Sequence, residues 1–244
     1  MKLEDVKKLH QKKYRNQFKH YLVEGEHLVL ELVKALGDKD ASITLYVTED
    51  YLGWAKNVAS DFTILVVTEK QMAQISDTKT PQGIIACVPL PDNKTITNRS
   101  AASKYIYLHE VQDPGNLGTI LRSLAWFGNF SLMLSPNSVD PFNSKVVRAS
   151  MGAIFHVPIE LEVSLATLES RFSEFAYLDM QGTAISDSQF NAYQCYLFGN
   201  EARGVPRDAL LRVGAHGFTI AGSGKIDSLN LASAVNICVY QLSQ

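Results

Sequence analysis

The stretch Leu108–Gly128, LHEVQDPGNLGTILRSLAWFG, decides the fold. It follows from YIYLHEV, an aromatic and β-branched run that reads as a strand. A Pro-Gly turn comes next, and Asn116 is placed to cap a helix. Leu117, Ile120, Leu121, Leu124 and Ala125 then form one apolar stripe over Asn116–Phe127, and Arg122 falls off that stripe on the polar face. By themselves, Asn116 and Arg122 read equally well as a plain cap and a solvated arginine. The strand–turn–helix pattern continues downstream. FSLMLS, FAYLDM, YQCYLFG and GFTIAG read as strands, HVPIEL as a short extended piece, and Lys145–Met151, Leu165–Phe172 and Leu229–Leu242 as helices. Alternating β and α elements predict a mostly parallel sheet with helices on both faces.

Upstream, Val23–Leu36 has apolar residues at helical spacing, SITLYVT and FTILVVT read as strands, and short helices are expected around Gly53–Ala59 and Glu69–Ile75. Thr80–Val88 leads into a last strand. PLPDNKTITNRSAAS then has the composition of a linker. The reading is therefore an N-terminal α/β part over 1–90, a linker over 91–103 and a C-terminal α/β part over 104–244.

The chain has 244 residues and a net charge of −2, with ordinary hydrophobic and charged fractions, which excludes disordered, collagen-like and histone-like classes. The charge is uneven: residues 1–20 hold seven Lys/Arg against two acids. That basic run, with Lys12, Lys13, Arg15 and Lys19, is either a solvated helix face or an arm that touches phosphates. Arg122, Arg148, Arg203 and Arg207 form a second group of cations. Cys87, Cys195 and Cys238 are far apart and fit neither a disulfide framework nor a zinc site. The polar N-terminus and the lack of an apolar run near 20 residues lead to the expectation of a cytoplasmic protein without a membrane segment or a metal.

Familiar nucleotide motifs fail. Gly222-Ser223-Gly224 has Asp227 where a dinucleotide fingerprint needs glycine, and Gly224-Lys225 lacks the rest of a phosphate-binding loop. Two other segments stand out. CYLFGNEARGVP (Cys195–Pro206) runs a buried-looking strand into a polar tip between two glycines, a ligand loop or a plain turn. FTIAGSGKIDSLNLASAVNICVYQL (Phe218–Leu242) delivers Ser228-Leu229-Asn230 to a helix start, where they serve a ligand or only cap.

DPGNLGTILR, FGNEARGV and SLNLASA, in this order, closely resemble the three motifs of the SpoU (TrmH-type) RNA 2′-O-ribose methyltransferases, in the SPOUT class. DPFNSKVVRASMGAIF (Asp140–Phe155) also looks familial, and FKHYLVEGEHLV and PQGIIA resemble the ribosomal-protein-like RNA-binding domain many members carry. The resemblance covers nearly the whole chain. It implies a C-terminal trefoil knot and S-adenosylmethionine as cofactor, held by Leu197, Gly199, Ile220 and Leu229. It implies Asn116, Arg122, Glu201, Ser228 and Asn230 as the catalytic set, with Arg122 clamping the target phosphate and the developing alkoxide. It also implies an RNA substrate, ribosomal RNA with transfer RNA as the alternative, and a homodimer; by charge and position, Lys12, Lys13, Arg15, Lys19, Arg148 and Arg203 are the candidates to contact that RNA. A non-catalytic RNA-binding or ribosome-assembly factor on the same fold is the competing class. One departure is plain: Ile220-Ala221-Gly222 stands where the family usually has Ile-Pro-Met, so this loop is expected to be more flexible.

Overall fold

A computed structural model describes residues 1–36, 42–59, 62–92, 103–211, 213–226 and 228–244. Of the expected linker, residues 93–102 lie outside the described residues. Two short helices open the chain, α1 (Leu3–Lys8) and α2 (Lys12–Phe18), followed by β1 (His20–Glu24) and α3 (Glu26–Leu36). The helix expected from Val23 thus begins later. Val23 and Glu24 belong to a strand, and Gly25, at φ +103°, makes the break between the two elements. Then come β2 (Thr44–Val47), α4 (Glu49–Val58), β3 (Thr63–Val66), α5 (Glu69–Ile75) and β4 (Ile84–Pro89). Thr68 and Gln71 form a reciprocal capping box that starts α5. The strands make one mixed sheet in the order β1-β4-β2-β3, with β4 antiparallel to β1 and β2, and β2 parallel to β3. Val6, Leu9, Leu22, Tyr46, Met72 and Ile85 are among the side chains that close its core under α1 and α5.

The next elements are β5 (Lys104–Leu108), α6 (Pro114–Phe127), β6 (Phe130–Leu134) and α7 (Ser144–Ser150), with a single 3-10 turn at Ala153–Phe155. By its contacts the chain divides into two units, Met1–Asp92 with Asp140–His156, and Asn93–Val139 with Val157–Gln244. The segment 140–156, read from sequence as part of 104–244, therefore packs with the N-terminal residues. The reasons are local: Asp140 pairs with Arg15, Phe142 packs on Tyr21 at 5.0 Å between ring centroids, and Gly152 sits where a Cβ would meet Glu31 at 2.7 Å.

The second unit continues with β7 (Ile159–Glu160), α8 (Leu165–Arg171), β8 (Phe175–Ala184), a 3-10 turn at Ser188–Ala192, β9 (Cys195–Phe198), α9 (Arg207–Leu210), β10 (Ala215–Thr219) and α10 (Leu231–Leu242). Its six strands are all parallel, in the order β10-β8-β9-β5-β6-β7. β6 and β9 are buried along their whole length, as a strand covered on both faces must be. Each fully buried Leu, Ile or Phe there contributes roughly 1.5–3 kcal/mol. β9 is laid between two earlier strands, β8 and β5, and the chain then goes to the far edge as β10.

Candidate active site

In a parallel sheet every strand ends on the same side, and ligands gather where the strand order reverses direction. Here β5 leads to β6 and β7 on one flank, while β9, β8 and β10 lie on the other, so the reversal falls between β5 and β9. The loops that leave β5, β9 and β10 hold residues 109–113, 199–206 and, among the described residues, 220–226 and 228–230, which belong to the three segments singled out by sequence.

The first loop is set by Asp113, whose carboxylate accepts the backbone N–H of Asn116 at 2.6 Å, with Pro114 at the first turn. The expected cap was Asn116, and this is corrected: with Asp113 capping, the Asn116 amide is left free for tertiary contacts. The second loop is closed by the paired backbones of Asn200 and Gly204, at 3.0 and 2.8 Å. A Cβ on Gly199 would lie 2.2 Å from Gly204, and Gly204 has φ +69°, so both glycines are required by the closure itself. Asn200, which is buried, holds the turn from within. Its Oδ1 accepts from the N–H of Ala202 and Arg203, and its Nδ2 donates to the Glu110 carbonyl at 2.6 Å. The third segment starts α10, where Asn230 is the N-cap and accepts from Ser233 N–H at 3.3 Å.

One hydrogen-bonded chain joins all three. The Glu201 carboxylate accepts from the backbone N–H of Gln112 at 3.1 Å and of Asp113 at 3.2 Å, and from Asn116 Nδ2 at 3.2 Å. Asn116 Oδ1 in turn accepts from Asn230 Nδ2 at 2.9 Å. Glu201 is thus an anchor with three donors around it, and its geometry suits orientation rather than proton transfer. Gln112 steadies the same loop, donating its side-chain amide to the carbonyls of Glu110 and Asn137 at 2.9 and 2.8 Å. Arg203 pairs with Glu110 and remains largely exposed. Sequence reading missed Asp113, Gln112 and Asn200. Proline at the first helical position was the signal for the first, and an asparagine between two loop glycines the signal for the last.

Arg122 lies elsewhere. Six residues on from Asn116, it is turned about 120° around α6 and ~9 Å along its axis. It is exposed and lines a groove of about 410 Å³ with Thr119, Ser123, Trp126, Phe127 and Asn236. Ser123 Oγ donates to Asn236 Oδ1 at 2.6 Å, which ties α6 to α10 beside it. Ser228 and Leu229 are exposed in the loop before α10. Gly199 opens the second loop and Ile220 the third, whereas Leu197 sits fully buried inside β9 between Tyr107 and Tyr177. Residues 221–224 are exposed, and a Cβ on Gly222 or Gly224 would meet nothing within 4 Å. This leaves open space beside the loop, the room a nucleoside needs. His109, at the mouth of the first loop, has a buried Nδ1 without a partner among the described residues. Burial, with help from Arg203 and against Glu110, holds its pKa below the usual value.

The expected RNA contacts fare differently. Lys12, Lys13 and Lys19 are exposed, and Lys8 and Lys13 lie over the Tyr14 ring at 5.9 and 5.6 Å. Arg15 is 3% exposed. Its Nε donates to Asp140 at 2.9 Å and its Nη1 to the Leu9 carbonyl at 2.8 Å. An arginine so committed is not available to a phosphate, which corrects the expectation for Arg15. Arg148 is partly exposed and bonded to Asp77. Among the described residues no cluster of three or more His, Cys, Asp or Glu could hold a metal, and no helix is long and apolar enough to cross a membrane.

Known proteins carry the same organisation. The SpoU rRNA Methylase family matches residues 103–240, and the MRM3-like substrate binding domain matches residues 1–86. The chain is similar to the Bacillus subtilis 23S rRNA (guanosine(2553)-2′-O)-methyltransferase RlmP, at 31% identity over 99% of this chain and 95% of that one. It is similar in structure to a TrmH-family RNA methyltransferase from Porphyromonas gingivalis, with a TM-score of 0.83, 28% identity and coverage of 98% of this chain and 96% of that one. An AdoMet-bound rRNA methyltransferase from Sinorhizobium meliloti matches with a TM-score of 0.79, 29% identity and coverage of 98% and 93%. Motif residues, strand order and these matches agree, and the chain belongs to the SpoU rRNA methylase family.

Proposed function

We propose that this chain transfers a methyl group from S-adenosylmethionine to a ribose 2′-hydroxyl of ribosomal RNA. The observation that carries the reading is the hydrogen-bonded chain from Glu201 through Asn116 to Asn230, which draws three motif segments to the strand-order reversal. S-adenosylmethionine, when bound, supplies a methyl on a sulfonium centre, so the reaction asks for no metal. Gly199, Ile220 and Leu229 hold the cofactor through their backbones, with Leu197 as the strand behind them. A ribose hydroxyl is a poor nucleophile until its developing charge is stabilised. A guanidinium is a permanent cation with a rigid fork of donors, so Arg122 clamps the target phosphate and the forming alkoxide. The proton then passes to that phosphate or to water. Glu201 and Asn116 keep the loops in register, and Ser228 and Asn230 complete the polar wall.

The exposed face formed by α6 and α10, where Trp126 is 85% and Tyr240 55% exposed, supports a homodimer as the working unit. RNA recognition belongs to residues 1–92 with 140–156, where Lys12, Lys13, Lys19 and Arg148 supply charge. Arg203 adds a contact beside the methyl-transfer loops. The expected compartment is the cytoplasm. Large-subunit ribosomal RNA is the favoured substrate, by analogy with the Bacillus subtilis relative.

Ribose methylation mapped across ribosomal and transfer RNA of a deletion strain tests the reading. One large-subunit position should lose its methyl group, and the purified chain with S-adenosylmethionine should restore it on unmodified RNA. A lost transfer-RNA position moves the substrate, and an unchanged map overturns the reading.

A further inference from the structure

Asp77 stands in the loop after α5, and that loop is held in place from below. Glu24, at the end of β1, accepts hydrogen bonds from the hydroxyls of Ser76 and Thr78 and from the backbone N–H of Asp77. With its backbone fixed, the Asp77 carboxylate accepts from Ser144 Oγ at 2.6 Å and from Arg148 Nη2 at 3.2 Å. Ser144 and Arg148 are four residues apart on α7 and so share one face. Burial raises the pKa of Asp77, but these two hydrogen bonds and the nearby charges of His10 and Arg148 outweigh it, and its carboxyl titrates below the usual range.

The arginine is poorly served by this arrangement. It has five N–H donors, and the carboxylate takes a single long bond. Its Nη1 is buried with no acceptor among the described residues. Both side chains are nevertheless about one-third open to solvent, Arg148 at 34% and Asp77 at 36%. Exposed Lys79 and Lys145 are near neighbours of Asp77 and Arg148 in the chain. A carboxylate held this way mimics an anion on a hydroxyl and a guanidinium. A phosphodiester offers two charged oxygens and the spacing for a bidentate arginine contact.

We propose that Ser144 and Arg148 form a binding site for an RNA backbone phosphate, and that Asp77 occupies this site as a built-in competitor until RNA displaces it. The proposal rests on the ribosomal-RNA reading given above. A competing carboxylate lowers affinity for any RNA that does not also engage the rest of the surface, so it sharpens selection at the expense of tightness.

The test uses the full chain and unmodified large-subunit ribosomal RNA transcribed in vitro, with binding measured over a salt series and thermal melting as a folding control. Asp77→Asn should bind about 5-fold tighter, because the charged competitor is gone. Arg148→Met should bind about 10-fold weaker, with a salt slope lower by about one unit. Ser144→Ala should weaken binding less. In the double variant the gain from Asp77→Asn should vanish, since it acts only through Arg148. Unchanged or weaker binding by a folded Asp77→Asn protein overturns the proposal, as does a gain that persists without Arg148. If the native chain binds and methylates the RNA while all these variants behave alike, this proposal alone fails. If the native chain binds no ribosomal RNA, the functional reading fails and takes this one with it.

Discussion

The two units use charged side chains in opposite ways. In the N-terminal unit a cation from the most basic stretch of the chain, Arg15, is buried and spent on Asp140, 125 residues away in sequence. In the C-terminal unit a carboxylate, Glu201, stays at the surface, gathers three donors from residues 112–116 and is linked through Asn116 to Asn230, while Arg122 is left exposed. The first arrangement holds a structure together and the second holds a site open. A charged residue in a motif or a basic run is therefore not yet a functional residue; what decides is which donors and acceptors the fold puts around it.

The sharpest way to break that contrast is at Arg122. Arg122→Ala should lower methyl transfer at least ~100-fold, the scale for losing a donor to a developing oxyanion, while calorimetry shows near-native binding of S-adenosylmethionine. Retained transfer of radiolabelled methyl would falsify the clamp role. Next comes Arg15. Arg15→Met leaves Asp140 without its buried partner and should cost about 3 kcal/mol, read as a clear drop in melting temperature. Adding Asp140→Leu should recover much of that loss, and a melting temperature untouched by Arg15→Met would show the pair to be inert.

A smaller effect separates Arg15 from its exposed neighbours. Replacing Lys12, Lys13 and Lys19 by Gln should lower the salt slope of RNA binding by up to about 2–3 units, whereas folded Arg15→Met should leave the slope alone. Equal slopes in both proteins would remove the distinction. The smallest effect is expected at His109. Its pKa is lowered in the folded chain, so the unfolded chain takes up the proton first as pH falls. The stability it contributes is present above the usual histidine value near 6.5 and is lost progressively below it. His109→Gln should flatten the melting-temperature profile between about pH 5 and 7; an identical profile removes His109 as the cause.

Much of the C-terminal sheet was legible because its strands are aromatic- and leucine-rich apolar runs set apart by caps and turns. The strand β1 was not, since its burial along both faces hides the alternation that marks a strand, and its end merges with the helical spacing of α3. At the site, spacing and resemblance picked out Asn116, Glu201 and Asn230, and the fold brings them within hydrogen-bonding distance. The role of Asp113 was readable from Pro114 and was overlooked. The burial of Arg15 could not be read locally, because helical position shows which face a residue shares but not that a carboxylate 125 residues on will meet it. Asp77 was invisible for the same reason.

The placement of β9 has a consequence for how the enzyme is made. A strand that fits between β8 and β5 has no complete set of partners until both are in position. Glu201 follows directly on β9, and Asn230 comes later still. During synthesis the first loop therefore emerges well before the residues that fasten it, and pairings this distant in sequence form slowly. The site closes only once Asn230 has left the ribosome, so a nascent chain that stops short of it carries no half-working catalyst.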